Sequence, residues 1–125
     1  MGKGENRLSS KEIGDFGEKV AREWLWSQGC RVLYRNFRAP QGGEVDIVAR
    51  EGRILCFVEV KTRSKKGGGR PADAVDQAKQ ELIERGAREW LNLLKTREIP
   101  CRYDIMEVLL LEGKRPEVIW IRNAF

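Results

Sequence analysis

The chain has 125 residues, the size of one ordinary domain, with 41% hydrophobic residues, 34% charged residues and a formal charge of +5. That apolar share supports a core and excludes wholesale disorder. The basic balance favours an anionic partner. There is no histidine, which excludes Ser-His-Asp and Cys-His catalysis, His-liganded zinc hydrolases and nucleases with a His general base. Hydrolytic chemistry must then run on carboxylates, lysine, tyrosine or a hard metal ion.

In chain order, Met1 to Ser10 has no apolar core and is no signal peptide. Residues 1–8 read as a flexible N-terminus of a single domain spanning 1–125. Ser9-Ser10-Lys11-Glu12 is a capping box, and a helix follows. Ile13, Phe16, Val20, Ala21, Trp24 and Leu25 recur at helical spacing, and Gly29 ends that helix. Arg31 to Arg38 reads as a strand, and Ala39 to Gly43 as a loop. Glu44 to Ala49 and Ile54 to Thr62 are two strands around a short hairpin turn.

Arg63 to Gly69 is basic and then glycine-rich, an exposed flexible loop. Pro71 suits the first turn of a second helix. Its apolar stripe runs through Val75, Ala78, Leu82, Ile83, Ala87, Trp90, Leu91 and Leu94. Arg102 to Leu111 and Glu117 to Ile121 are two further strands. The order α-β-β-β-α-β-β implies an α/β sandwich with a central mixed sheet. The strands joined by the second helix are expected to be parallel.

The three cysteines, Cys30, Cys56 and Cys101, are odd in number and far apart in sequence. They suggest neither a disulfide framework nor a zinc knuckle, and Cys56 reads as core. No apolar stretch has the length of a membrane span, so a cytoplasmic location without a membrane partner is expected.

The chemistry concentrates on the hairpin. With an even loop, Arg50 faces Arg53, Asp46 faces Phe57 and Glu44 faces Glu59. Alternation then gathers Glu44, Asp46, Glu59 and Lys61 on one face and sends Val45, Ile47, Val58 and Val60 to the core. Carboxylates on neighbouring strands repel, and a divalent cation relieves that repulsion; oxygen donors suit Mg²⁺ or Mn²⁺. Lys61 points at the same place and suits holding a water or a developing negative charge. The plainer reading is a set of solvated ion pairs, each worth under about 1 kcal/mol. Against it stand the apolar flanks of Glu59-Val60-Lys61 and the parity that brings in Asp46.

Gly43-Glu44-Val45-Asp46-Ile47-Val48 and Phe57-Val58-Glu59-Val60-Lys61-Thr62-Arg63 together resemble the PD-(D/E)XK nuclease signature. Gly14-Asp15-Phe16-Gly17-Glu18, Arg35-Asn36-Phe37-Arg38 and Arg102-Tyr103-Asp104 extend that resemblance over nearly the whole chain. The nearest likeness is to the YraN-like family of predicted endonucleases, which is similar in turn to archaeal Holliday-junction resolvases. Val45 stands where the superfamily pattern has proline. The resemblance implies a restriction-endonuclease-like fold and a Mg²⁺-dependent DNA endonuclease, with branched or structured DNA as the substrate class. It implies Asp46, Glu59 and the Val60 carbonyl as metal ligands, Lys61 as the residue that orients the water, and Glu18 as a further acid. It also implies a homodimer.

Glu18 lies about 140° from Ile13 at 100° per residue, beside Ala21 and Leu25, so it borders the buried stripe. Gly14 and Gly17 flank it and suggest close approach to the sheet or a ligand. Arg63, Lys65, Lys66 and Arg70 are candidate phosphate contacts. Gln77 and Lys79 stand as further candidates, Lys79 either reaching the site or snorkelling from its apolar stripe. Trp24 and Trp90 fit core stripes; Trp26 and Trp120 are open between core and base stacking. Three functional classes follow: an endonuclease, a non-catalytic nucleic-acid-binding module on a nuclease-like fold, and a protein-interaction domain.

Overall fold

The computed structural model describes residues 8–64, 75–95 and 98–125. Its elements are α1 (Ser10–Ser27), β1 (Arg31–Arg38), β2 (Glu44–Glu51), β3 (Ile54–Arg63), α2 (Gln77–Leu94), β4 (Cys101–Leu109) and β5 (Glu117–Ile121). The five strands form one sheet in the order β1-β2-β3-β4-β5. All neighbours are antiparallel except β3 and β4, which run parallel, as the α2 crossover requires. The expected α-β-β-β-α-β-β sandwich is therefore the fold. No helix among the described residues is long and apolar enough to cross a membrane.

Local sequence explains the element ends. The Ser9 hydroxyl accepts from Glu12 N–H, and the Glu12 carboxylate accepts from Ser9 N–H, closing the capping box. The residues 1–7 of the expected flexible terminus lie outside the described residues, as do residues 65–74, Pro71 among them. Within the described residues α2 starts at Gln77, capped by Asp76, whose carboxylate accepts from Lys79 N–H at 2.9 Å.

One core lies on each face of the sheet. Ala21 and Leu25 of α1 pack with Ile47, Cys56, Val58, Val60, Met106 and Val108. Ile83 and Ala87 of α2 pack with Phe37, Val45, Val48, Phe57 and Ile105. Two of the expected stripes are wider than the buried faces. Trp24 and Phe16 lie at the exposed margin of α1, and Leu94 is exposed at the end of α2.

The expected sharing of one core face by Val45 and Ile47 is corrected. Ile47 faces α1, and Val45 faces α2. The strand pair kinks between them. Asn36 on β1, flanked by the pairs Phe37–Val45 and Arg35–Ile47, has a left-handed backbone with φ 55°. The hairpin register is corrected as well. Glu51 pairs with Ile54, around a two-residue loop whose Gly52 has φ 61°. Arg50 therefore pairs with Leu55 instead of facing Arg53. The slip is by two residues, so every β3 side chain keeps its expected face.

Two glycines set how closely the helices lie. A Cβ on Gly17 would stand 1.8 Å from Thr62 Oγ1, so α1 rests directly on β3. A Cβ on Gly86 would stand 2.9 Å from the backbone nitrogen of Glu44, so α2 crosses the start of β2 backbone to backbone. At the hairpin end of the sheet, Asp104 is fully buried. It accepts from Arg102 Nε, Trp120 Nε1 and Asn123 N–H, while Arg102 and Arg122 both reach Glu51.

Candidate active site at the end of the β2–β3 ladder

The paired register of β2 and β3 ends at Ile47–Val58. Beyond it a side chain spans the gap: Val60 N–H donates to Asp46 Oδ2 at 2.8 Å. Asp46 lies where the alternation of β2 breaks, between Val45 and Ile47 on opposite faces, and its carboxylate reaches across to β3. Asp46 and Glu59 are thereby neighbours, close enough for each charge to act on the other. Glu59 is 3% exposed, and its Oε1 has no hydrogen-bond partner among the described residues. Burial, then the adjacent Asp46 carboxylate, pushes the Glu59 carboxyl up to about 8.

Two lysines answer this acidity. Lys61 Nζ lies 3.8 Å from Glu59 Oε2, and Lys79 Nζ lies 3.4 Å from the same oxygen. Lys79 also donates to Glu44, which Arg38 Nη1 meets from the other side at 2.9 Å. Its hydrogen bond to Lys79 holds the Glu44 carboxyl below the usual range. Burial works against the Lys79 ammonium, but its bond to Glu44 and the nearby Glu59 and Asp46 outweigh that and raise its pKa. Of the two positions open to Lys79, the site is the one it takes. Glu44 sits with Arg38 and Lys79 and not across from Glu59, and its pairing with Arg38 across β1 explains why.

Glu18 approaches from α1, on the opposite side of Asp46 from α2. Burial, then the Asp46 and Asp15 charges, raises its pKa. A groove of about 310 Å³ lies between Gly14 and Glu18 of α1 and Val60 and Thr62 of β3. Gly17 makes the predicted close approach; a Cβ on Gly14 would meet nothing within 4 Å, so Gly14 opens the groove instead. Among the described residues no three acidic or cysteine side chains cluster closely enough to hold a metal by themselves. Asp46 and Glu59 form the pair, with the Val60 backbone between them, and Glu18 stands apart.

The candidate phosphate contacts separate. Arg63 Nε is engaged by Glu107 at 2.9 Å. Lys65, Lys66 and Arg70 lie outside the described residues. Gln77 is exposed at the start of α2. Sequence reasoning gave no role to Arg38 and Asn36, both at the kink. A single non-glycine residue with positive φ leaves no periodic trace, although asparagine is the commonest residue to adopt it. Gly86, a mid-helix glycine, was the available signal for the α2 crossing that brings Lys79 to Glu44.

Comparison with known proteins agrees over the same span. The sequence profile of "Uncharacterised protein family UPF0102" matches residues 17–108, from the Gly17 contact to the end of the β3–β4 pairing. A UPF0102 protein of Trichlorobacter lovleyi is 44% identical over 117 residues, covering 93% of this chain and 91% of that protein. One from Geobacter sulfurreducens is 41% identical over 122 residues, covering 98% and 94%. One from Chlorobaculum tepidum is 43% identical over 118 residues, covering 90% and 91%. The chain, with its acid pair and both lysines inside the matched span, belongs to the UPF0102 family.

Proposed function

We propose that the chain is a metal-dependent DNA endonuclease of the PD-(D/E)XK kind, hydrolysing phosphodiester bonds at Asp46 and Glu59, with branched or structured DNA as the first substrate class to test. The observation that carries the reading is Glu59 Oε1, buried without a partner among the described residues beside a second carboxylate. A buried acid pair of this kind is costly unless a cation or a proton neutralises it. Hard oxygen donors fit Mg²⁺ or Mn²⁺. The residues to hold it are Asp46, Glu59 and the Val60 carbonyl, with Glu18 on the groove side. When bound, such a cation polarises the phosphate and lowers the pKa of the attacking water.

The chain's own groups supply the rest. The Val60 N–H fixes one Asp46 oxygen and leaves the other to turn toward Glu59. Lys61 orients the water and balances charge growing on the phosphate. Lys79, already beside Glu59, adds a second cation on the α2 side. One observation favours the alternative of a non-catalytic nucleic-acid-binding module: both lysines lie within 4 Å of Glu59, so the pair has counter-charges without a metal.

The test incubates the protein with plasmid, duplex, single-stranded and four-way-junction DNA, with Mg²⁺, Mn²⁺ or chelator. Cleavage is expected only with metal. Asp46→Ala, Glu59→Ala and Lys61→Ala should each lower it by roughly 100-fold or more. Cleavage that survives all three substitutions would overturn the site, and DNA binding without cleavage by the wild type would favour the module reading.

A further inference from the structure

A row of side chains on α1 points away from the acid pair toward an exposed tryptophan. Glu18, Arg22 and Trp26 follow at intervals of four residues, so they form one line along the helix. Three grooves accompany that line. The first lies between Gly14 and Glu18 of α1 and Val60 and Thr62 of β3. The second, about 440 Å³, lies between Asp15, Glu18 and Arg22 of α1 and Arg35 and Asn36 of β1. The third, about 490 Å³, lies between Arg22, Glu23 and Trp26 of α1 and the β1 residues 32–35. The first two share Glu18, and the last two share Arg22 and Arg35. The last two are therefore stretches of one trough between α1 and the edge strand β1, and the first meets it at Glu18.

The chemistry changes along the trough. At its near end it is negative, with Asp15 and Glu18. In the middle stand Arg22 and Arg35, and neither makes an ion pair with a described residue. At the far end Trp26 is 77% exposed and Leu33 is 41% exposed. Leu33 stands at the irregularity in the β1–β2 register, between Val32 and Tyr34. Tyr34 also lines this end, with its ring packed on Phe37 and Trp90.

We propose that this trough binds an unpaired DNA strand, with phosphates on Arg22 and Arg35 and a base stacked on Trp26. The two guanidinium groups, held in no ion pair with a described residue, suit phosphates, and an exposed indole offers a sequence-tolerant stacking surface. The length suits a few nucleotides. Glu18 to Trp26 spans about 12 Å of helix at ~1.5 Å per residue, a short stretch of strand. Duplex ends or branches carrying a single-stranded arm would then present the junction to Asp46 and Glu59. The placement of the cut rests on the endonuclease reading; the strand binding does not.

The test measures anisotropy of a fluorescein-labelled oligothymidylate long enough to span the trough, in chelator, against a blunt duplex of equal length. The full chain should prefer the single strand. Trp26→Ala should weaken oligothymidylate binding by about 10-fold or more, and Trp26→Phe should keep most of it. Because Trp26 is exposed, neither change threatens the fold. The Arg22→Gln/Arg35→Gln pair should lower the slope of log affinity against log salt by about 1.4, at ~0.7 per phosphate contact. Unchanged oligothymidylate binding by Trp26→Ala, or a preference for the blunt duplex, would overturn the proposal. The two readings fail separately. Metal-dependent cleavage lost in Asp46→Ala but untouched by Trp26→Ala removes the trough and keeps the nuclease. Single-strand binding as described with no cleavage under any metal does the reverse.

Discussion

Gly14 and Gly17 stand three residues apart on one helix and should respond to alanine with opposite signs. A Cβ at position 17 would lie 1.8 Å from Thr62 Oγ1, 2.6 Å from its Cγ2 and 2.7 Å from its Cβ. Rotating Thr62 about χ1 moves the first two atoms but not the third. Relief therefore needs α1 and β3 to separate by about 1 Å, to reach the ~3.5–4.0 Å of ordinary contact. Overpacking of this kind costs about 1–3 kcal/mol. The helix gains about 1 kcal/mol from replacing glycine. Gly17→Ala should therefore lose about 1 kcal/mol net, a fall in Tm on the order of 5 °C for a chain of this length. Gly14→Ala meets nothing within 4 Å and should gain up to about 1 kcal/mol. Thermal and urea unfolding of both variants measures the difference. In the double variant Gly17→Ala/Thr62→Gly the clash disappears, and the cycle should return a favourable coupling of at least about 1 kcal/mol. Gly17→Ala that melts above the wild type would refute the close approach, and with it the account of how Glu18 is held near Asp46.

Two further predictions concern charge. Glu59 has a folded-state pKa raised to about 8, so the folded chain keeps a proton that the unfolded chain releases above pH ~4.3. In chelator, the Glu59 contribution to stability should be fully present below that point and be lost as pH rises to about 8, because burial, and then the Asp46 charge, opposes the Glu59 charge more than Lys61 and Lys79 support it. Glu59→Gln should flatten the decline in urea midpoints from pH 5 to 8.5; parallel wild-type and variant curves would contradict this. Asp104→Ala leaves Arg102, Trp120 Nε1 and the Asn123 N–H without their shared acceptor. Denaturant titration should show a loss of about 3–5 kcal/mol, the usual result of removing one partner of a buried pair, and a loss under about 1 kcal/mol would show that the network is replaceable.

The elements with strong local signals were legible in the sequence. The Ser9 capping box, the Gly29 stop and the β1 limits stand where periodicity put them. The parallel β3–β4 pair followed from the long crossover alone. The shared face of Glu59 and Lys61 survived a wrong hairpin register because the slip was even. What was not legible is a local break in alternation. Opposite the left-handed Asn36, β2 places Val45 in the α2 core and Ile47 in the α1 core, and Asp46 between them accepts from Val60 N–H; strict alternation cannot express it. Arg102, Tyr103 and Asp104 looked like part of a functional pattern. The structure makes Arg102 and Asp104 a buried brace for the C-terminus, while Tyr103 stacks on Phe125. Trp24 was too large for the narrow strip that Ala21 and Leu25 occupy, and so lies at its margin.

The two halves of the acid site differ in how far apart along the chain their members lie. The bond from Val60 N–H to Asp46 closes a separation of 14 residues, within one hairpin. The bond from Lys79 to Glu44 closes a separation of 35. Loop closure becomes less favourable as the loop lengthens, by about 0.6 kcal/mol per doubling, and short-range contacts tend to form first. The hairpin can thus draw its two carboxylates together before α2 delivers an ammonium to offset them. A folding chain would pass through that interval with its negative charges crowded, and a divalent cation in the medium would ease the passage before it ever met a substrate.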